Sequence, residues 1–350
     1  MRRRTLNAAL LSPLAWGVLA TQVSCSSFAD TSSSRAELPI VNGEISDDEE
    51  ANVVRVYASP EGSDEFSCTG TLVAPNLVFT AVHCVAHYTG GRFHCEADGT
   101  LVSIEDGDGV VGALAAPAKV EIYAGVEPGL EPDALGVRIF GTGTSDICRN
   151  DFAIVQLDRE LDLPVPALRM DRGIRRGEKM KVVGYGLTEE DESLTYRRRR
   201  RGVTVNDVAP ESGQGSAAPR TFVLGEGACL GDSGGPAFSE ETGALVGVYS
   251  LAVGANCTVQ GVRNVYTKVS PFTSLVNQAF AASGHEPLLE PPDPNAPDPE
   301  PPEPMDDPFA GSGSRSGGCS ATPLPASSGG WAALAALISV AAIQRRRRGQ

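Results

Sequence analysis

Short apolar runs rich in β-branched residues, separated by turn-forming residues, recur through the middle of the chain. The clearest pair extends from Phe66 to Cys84, and the Pro75–Asn76 turn divides it, which predicts a β-hairpin. Similar runs predict further strands at Lys119–Gly125, Ala244–Ser250 and Val265–Val269. The middle of the chain is therefore predicted to consist mainly of β-strands.

A helical pattern follows the last of these runs. Ser270 is predicted as the N-cap, Pro271 as the first helical residue and Gly284 as the stop. Apolar residues recur at helical spacing between these limits, at Phe272, Leu275, Val276, Ala279 and Phe280. The stripe is wide enough to dock the helix on the strands.

The N-terminal residues have the pattern of an export signal. The basic start Met1–Arg4 precedes a mainly apolar run from Leu6 to Ala20, which predicts a secretory signal peptide over residues 1–29. A Ser-rich stretch, residues 30–39, is predicted to be a short propeptide. Cys25 raises the alternative of lipidation, but Gln22 stands where a lipidation motif carries an aliphatic residue, which makes this alternative less favoured.

The C-terminal residues predict a spacer followed by a sorting tail. Proline and acidic residues dominate from Glu286 to Pro308, so residues 286–318 are predicted to be an extended linker. The order of Cys319, an apolar run from Trp331 to Ile343 and four terminal arginines resembles the C-terminal sorting signal of myxobacteria. That resemblance implies that sorting machinery processes residues 319–350 near Cys319 and attaches the protein to the cell surface. A plain membrane anchor is the alternative, although the apolar run is shorter than the roughly twenty residues of a spanning helix.

Composition narrows the possible partners and the compartment. The net charge of −15 makes nucleic acid an unsuitable partner. Eight cysteines, without CxxC pairs, predict disulfides and an oxidising compartment rather than zinc.

Two charged stretches allow more than one interpretation. The acidic, glycine-rich stretch Glu105–Gly109 is compatible with a calcium loop, but its spacing does not match a complete EF-hand, and a solvated loop is favoured. The arginine run Arg197–Arg201 could bind an anionic surface. A solvated loop whose arginines offset nearby acids is again the favoured interpretation.

The strongest chemical motif is Gly231–Pro236, in which glycines leave the hydroxyl of Ser233 open to a substrate carbonyl. The motif also fits G-x-S-x-G of α/β-hydrolases, but two glycines and a proline cannot open the helix that this turn requires. That fold also needs its acid and histidine after the serine. Here the suitable residues, His83 and Asp151, precede it, in the order His, Asp, Ser.

Together the Thr-Ala-x-His-Cys motif at His83, the acid that opens an apolar strand at Asp151 and GDSGGP resemble the trypsin/chymotrypsin family of serine proteases. The resemblance covers about residues 40–285. It implies an all-β fold of two packed six-stranded antiparallel β-barrels with a C-terminal helix. It also implies a catalytic triad of His83, Asp151 and Ser233, protein or peptide substrates, and no metal or organic cofactor.

The same resemblance assigns the supporting groups. The amides of Gly231 and Ser233 would form the oxyanion hole. Ile40, in the motif Ile-Val-Asn-Gly, would become the mature N-terminus, and its ammonium group would pair with Asp232. Residue 39 is proline rather than arginine or lysine, so the activating protease stays open.

Disulfides and a specificity pocket are also implied. Cys68–Cys84 and Cys229–Cys257 match disulfides of the family. Cys95 is predicted to pair with Cys148, the only other core cysteine that is then left unassigned. Gly227 and Ala228 give the base of the pocket no charge, so a small or medium uncharged side chain is predicted before the scissile bond. The walls of the pocket are assigned to Ser250, Leu251, Ala252 and either Asn264 or Gly261.

The sequence therefore predicts a secreted, surface-anchored serine endopeptidase. Two alternatives remain open. One is a non-catalytic binding module that keeps the barrels, and the other is an endopeptidase specialised for processing particular proteins.

Overall fold

The computed structural model of the chain describes residue 40 and residues 43–62, 66–105, 108–186, 196–210, 217–253 and 262–293. Within these residues no helix is long and apolar enough to cross a membrane. The signal peptide, the propeptide, Cys25, most of the linker and the tail with Cys319 lie outside the described residues. Those assignments stay predictions.

Seventeen strands are the main regular elements of the described chain. In chain order they are β1 (Glu44–Ile45), β2 (Val53–Ala58), β3 (Phe66–Ala74), β4 (Leu77–Thr80), β5 (Ala86–Tyr88), β6 (Phe93–Cys95), β7 (Leu101–Ser103), β8 (Val111–Leu114), β9 (Val120–Tyr123), β10 (Ala134–Gly141), β11 (Ala153–Leu157), β12 (Lys179–Gly184), β13 (Arg198–Val208), β14 (Thr221–Leu224), β15 (Pro236–Ser239), β16 (Leu245–Val253) and β17 (Arg263–Lys268). The helical elements are the 3-10 turns Asp48–Glu50, Val82–Cys84, Pro117–Lys119 and Ser270–Phe272, and helix α1 (Thr273–Ser283).

Six of these strands close the first barrel in the order β10-β11-β4-β3-β2-β9. The predicted hairpin is present as β3 and β4, and Leu72 lies opposite Val78 across it. The stretch after β4, predicted only as an insertion, contains two small sheets, β5 with β8 and β6 with β7.

The second barrel contains the strands β13-β12-β15-β16-β17-β14, and pairing of β13 with β14 closes it. The two-residue strand β1 pairs with the outer side of β13. Every pairing in both barrels is antiparallel, so the predicted architecture of two six-stranded barrels is confirmed.

One apolar cluster joins the two barrels and the helix. Phe79 and Phe152 of the first barrel meet edge to face, with ring centroids 5.0 Å apart. Tyr185 of the second barrel and Phe280 of α1 belong to the same buried cluster. The barrels therefore pack through a continuous core, which fixes the strand ends that meet in the cleft between them.

The helix begins later than predicted. Ser270–Phe272 forms a 3-10 turn, and α1 starts at Thr273 without a side-chain cap, so the assignment of Ser270 as N-cap is wrong. The predicted stop at Gly284 is confirmed, because this residue has the left-handed φ of +81° that glycine adopts without strain.

The arginine run is also corrected. Arg198 to Arg201 open β13 instead of lying in a solvated loop, and Arg197 just before them is 1% exposed. The side chains of Arg197 and Arg199 bind other parts of the molecule, as described below.

Candidate active site

The first barrel brings His83 and Asp151 together because the strands next to them are neighbours. His83 lies in the 3-10 turn that follows β4, and Asp151 lies two residues before β11, which pairs with β4. The Nδ1 atom of His83 is 2.8 Å from Oδ2 of Asp151, and the His83 amide donates to Oδ1 at 3.1 Å. Asp151 therefore fixes both the ring and the backbone of His83.

A third group reaches Asp151 from the second barrel. The Ser250 hydroxyl on β16 donates to Oδ2 of Asp151 at 2.6 Å. Asp151 is fully buried, and three donors offset the desolvation of its carboxylate. The sequence indicates Ser250 only as part of the pocket wall, because 99 positions separate it from Asp151 and no local pattern links the two residues.

The Ser233 loop is held against the first barrel beside His83. The carbonyl of Ser233 accepts from the Thr69 amide at 2.8 Å, and the Thr69 hydroxyl donates to the carbonyl of Gly231 at 2.9 Å. Sγ of Cys84 lies 3.5 Å from the same Ser233 carbonyl and 3.8 Å from Nε2 of His83. The serine backbone and the imidazole therefore flank a single sulfur atom.

A glycine is required directly after the serine. Gly234 has a φ of +78°, and a Cβ there would lie 2.1 Å from Oγ1 of Thr80. Its amide donates to the carbonyl of Tyr249 at 2.7 Å, which ties the loop to β16 as well. The glycines of GDSGGP thus allow the loop to fit between the barrels.

The amides in this loop divide into two groups. Those of Asp232, Gly234 and Gly235 donate to backbone carbonyls. Those of Gly231 and Ser233 donate to no residue that the structure describes. Gly231 also has a left-handed φ of +89°, the kind of backbone geometry in which successive amides form an anion-binding concavity.

Asp232 lies inside the second barrel. It is 1% exposed, and its carboxylate accepts from the amides of Gly186 at 2.8 Å and Cys229 at 2.9 Å. Burial raises its pKa to about 7. Among the described residues no basic side chain pairs with it.

Ile40 is buried in the core of the same barrel. Its side chain is 2% exposed and packs in the cluster that contains Met180, Val182 and Ala228. Val41 and Asn42 lie outside the described residues.

None of the residues predicted to form the specificity pocket has a charged side chain. Gly227 and Ala228 are buried, and Asn264 on β17 lies opposite Ala252 of β16. The amide group of Asn264 donates to the carbonyl of Gly225 at 2.9 Å, and Gly261, the other candidate for this wall, lies outside the described residues. The nearest acid along the chain, Glu226, forms an ion pair with Arg200 at 3.7 Å.

Disulfides brace the site. Cys68 is bonded to Cys84, and Cys95 is bonded to Cys148, as predicted. Cys229 is also disulfide-bonded, while its expected partner Cys257 lies outside the described residues.

The acidic stretch considered for calcium is only partly described. Asp106 and Gly107 lie outside the described residues, and the carboxylate of Asp108 accepts from the Arg92 amide at 2.7 Å. The interpretation of this stretch, as a calcium loop or a solvated loop, therefore stays a prediction.

Two closed barrels with a histidine–aspartate pair and a glycine-flanked serine in the cleft between them define the class of chymotrypsin-like proteins. A family model described as Trypsin matches residues 40–276, well over half of the chain. This chain belongs to the trypsin family.

Relatives and solved structures agree with this assignment. The chain is 26% identical over 243 residues to phenoloxidase-activating factor 1 of Holotrichia diomphalia, covering 62% of each chain. It is 27% identical over 231 residues to trypsin alpha of Drosophila erecta, covering 62% of this chain and 79% of that protein. A crystal structure of the scabies mite inactivated protease paralogue S-I1 matches with a TM-score of 0.50 and 20% identity, covering 69% of this chain and 99% of that one, which shows the fold alone.

Proposed function

We propose that this protein is a serine endopeptidase in which Ser233 is the nucleophile, His83 the general base and Asp151 the group that orients His83. The observation that supports it most is the His83–Asp151 hydrogen bond of 2.8 Å, buried between the barrels beside the Ser233 loop. In this function Nε2 of His83 takes the proton from the Ser233 hydroxyl as the oxygen attacks the scissile carbonyl. The same nitrogen then gives the proton to the leaving amine, and water hydrolyses the acyl-enzyme on Ser233.

The oxyanion of the tetrahedral intermediate would bind the amides of Gly231 and Ser233. Both amides belong to the tightly held loop, and neither donates to a described residue. Preorganised donors of this kind stabilise developing charge without reorganisation during the reaction.

Cleavage before Ile40 is proposed to complete the site. The raised pKa of Asp232, about 7, reflects burial without a cation among the described residues. A new ammonium group at Ile40, whose side chain already packs in the same barrel, would supply that cation. An activating protease of unassigned specificity makes this cut.

The pocket is proposed to favour small or medium uncharged side chains such as Ala or Val before the scissile bond. Its base carries Gly227 and Ala228 and one wall carries Asn264. None of these residues has a carboxylate, so a buried guanidinium or ammonium would be uncompensated. Ala252 narrows the entrance with a methyl group.

Secretion and attachment complete the proposal. The signal sequence supports export, and the Cys319 region supports processing by sorting machinery, so that the spacer holds the protease at the cell surface.

The test is peptide hydrolysis by the mature protein and its Ser233→Ala and His83→Ala variants. Removal of a triad member generally lowers kcat by roughly four to six orders of magnitude, and we expect a loss in that range for each variant. A Ser233→Ala variant with near-normal activity would contradict the mechanism.

The alternative function is a surface-displayed binding module without catalysis. This alternative keeps the two barrels, and a solved structure of the same fold is described as an inactivated protease paralogue. If the protein is such a binding module, wild-type protein that begins at Ile40 will not hydrolyse peptides. The same experiment therefore distinguishes the two functions.

A further inference from the structure

The arginine run, expected to face solvent, instead holds the segment that follows Ile40. The guanidinium of Arg197 donates to Oγ of Ser46 at 2.6 Å and to the carbonyls of Asp47 at 2.6 Å and Val53 at 3.0 Å. Ser46 in turn donates its amide to the carbonyl of Arg197 at 2.9 Å. Arg197 is therefore satisfied inside the molecule and is unavailable to an anionic surface.

Ion pairs extend this attachment. Arg199 contacts carboxylate oxygens of Glu44, Asp47 and Glu50, each at 2.9 Å. Its pKa is raised, first of all by the hydrogen bond to Glu44. Lys181 on the neighbouring strand β12 binds the fully buried Glu50 at 2.8 Å. We call the contacts of Arg197, Arg199 and Lys181 with residues 44–50 the N-terminal clasp.

The clasp begins close to Ile40. Glu44 lies opposite Arg199 in the pairing of β1 with β13, so three residues separate Ile40 from a fixed strand. The four steps from Ile40 to Glu44 span at most about 14 Å. The amide of Gly43 also donates to the carbonyl of Ile40 at 2.9 Å. While the clasp holds, residue 40 stays near the core of the second barrel.

We propose that Arg197 and Arg199 are positioning residues that hold the mature N-terminus in place for its pair with Asp232. This inference rests on the proposed function, in which Ile40 carries a free ammonium group. Pairing of that group with Asp232 is an intramolecular binding event, and its strength depends on the effective concentration of one partner near the other. The clasp keeps that concentration high and thereby keeps the serine loop ordered.

The clasp acts through position rather than through its charge. Arg199 and Lys181 are paired with acids of residues 44–50, and Arg197 binds a hydroxyl and backbone carbonyls. The groups that face Asp232 are the amides of Gly186 and Cys229 and the phenols of Tyr249 and Tyr266, whose interactions with Asp232 are electrostatic.

The experiment uses protein proven by mass spectrometry to begin at Ile40, as wild type and as Arg199→Gln. The variant should show faster reductive methylation of the Ile40 amine, by about threefold or more. The alkaline midpoint of kcat/KM should fall by about half a pH unit, which corresponds to a threefold weaker pair. A merely structural role of Arg199 would lower thermal stability without moving either readout.

Two matched variants serve as controls. Arg176→Gln removes a guanidinium that pairs with Asp207 on the same barrel, away from the clasp, and should leave both readouts unchanged. Arg199→Lys keeps the charge and should restore most of the wild-type behaviour. If Arg199→Gln does not fold, Glu44→Gln replaces it, since that side chain is 65% exposed and tolerates substitution, and it should shift both readouts in the same direction.

The outcomes separate this inference from the proposed function. Unchanged methylation and an unchanged alkaline midpoint, in a variant that still hydrolyses peptides, would overturn the role of the clasp alone. A wild-type protein that begins at Ile40 and neither hydrolyses peptides nor reacts at Ser233 would overturn the proposed function instead.

Discussion

The two barrels differ in what holds them together. The first barrel closes with its own six strands around an apolar core and is braced by the Cys68–Cys84 and Cys95–Cys148 disulfides. The second barrel is bound at two places by segments from outside it, residues 44–50 and residues 286–293, and both attachments use buried ion pairs. The strands of the half that carries His83 and Asp151 close on themselves and are linked by two disulfides, while the half that carries Ser233 is also attached to the segments by which the chain enters and leaves it.

The exit segment shows this dependence most clearly. The amide of Leu168 donates to the carbonyl of Leu288 at 2.7 Å, and the amide of Glu290 donates back to Leu168 at 2.9 Å. The Arg169 guanidinium, 1% exposed, binds Glu290 at 2.6 Å and Glu178 at 2.7 Å. The folded body therefore continues to Asp293, beyond the helix and beyond the residues that match the family.

The largest stability effect is expected from breaking that exit attachment. Arg169→Met leaves Glu178 and Glu290 as buried carboxylates without their partner, which should cost about 3–5 kcal/mol. The measurement is urea unfolding. Arg159→Met is the control, because its pair with Asp158 lies on the surface, where such pairs contribute about 1 kcal/mol or less. Equal effects of the two substitutions would mean that the exit segment is not part of the folded body.

The same pair predicts a dependence on pH. Burial works to raise the pKa of Glu290, but hydrogen bonds from Arg169 and Thr242 outweigh it, and the pKa is lowered below 4.5. The contribution to stability is therefore fully present above pH 4.5 and disappears as the pH falls through the lower, folded-state value. Between pH 6 and about pH 3, wild-type protein should lose more stability than Arg169→Met does. Parallel pH profiles would contradict this linkage.

Replacement of Asp232 tests how the serine loop depends on the segment that begins at Ile40. In protein that begins at Ile40, Asp232→Asn removes the partner of the ammonium group and should disorder the donors of the oxyanion hole. A loss of one such donor lowers kcat by about 10²–10³-fold, and we expect a loss in that range. Asp207→Asn is the control, because it lies in the same barrel and pairs with a surface arginine. A normal kcat in Asp232→Asn would mean that the order of the serine loop does not depend on the Ile40 ammonium group.

The first barrel should respond to its disulfides instead. Replacing Cys95 and Cys148 together by alanine releases a loop of 53 residues, which should lower the free energy of unfolding by about 2–4 kcal/mol. Urea unfolding measures this change, and methylation of the Ile40 amine in the same sample should not change. A faster methylation would show that the two halves are coupled more tightly than their contacts suggest.

The smallest effect concerns specificity. A peptide series varied only before the scissile bond should give the highest kcat/KM for Ala or Val. A value for Arg or Lys more than about tenfold above Ala, or roughly 1.4 kcal/mol in transition-state binding, would mean that a carboxylate reaches the pocket.

Sequence reasoning succeeded where local pattern and motif agree. The hairpin that delivers His83 and the strand that follows Asp151 have strong alternation or apolar runs, and the structure forms both. It failed where distant residues satisfy a charged stretch. The run Arg197–Arg201 resembles a solvated loop in the sequence because the acids that bind Arg199, Glu44 and Glu50, lie about 150 positions away.

The attachment of residues 286–293 to the folded body could not be predicted for the same reason. Its prolines and acids are typical of a spacer, and nothing near Glu290 in the sequence indicates that Arg169, 121 positions away, buries it. The Ser250–Asp151 hydrogen bond likewise depends on how the two barrels pack.

The central claim is that Ser233 is an activated nucleophile whose loop is completed by the free end of Ile40. Mass spectrometry of fluorophosphonate-treated protein tests it directly, because one sample gives both the N-terminus and the labelled residue. We predict a single adduct on Ser233 in molecules that begin at Ile40, and almost none in molecules that still extend before it. Equal labelling of both forms, or no labelling of Ser233 in either, would contradict the account.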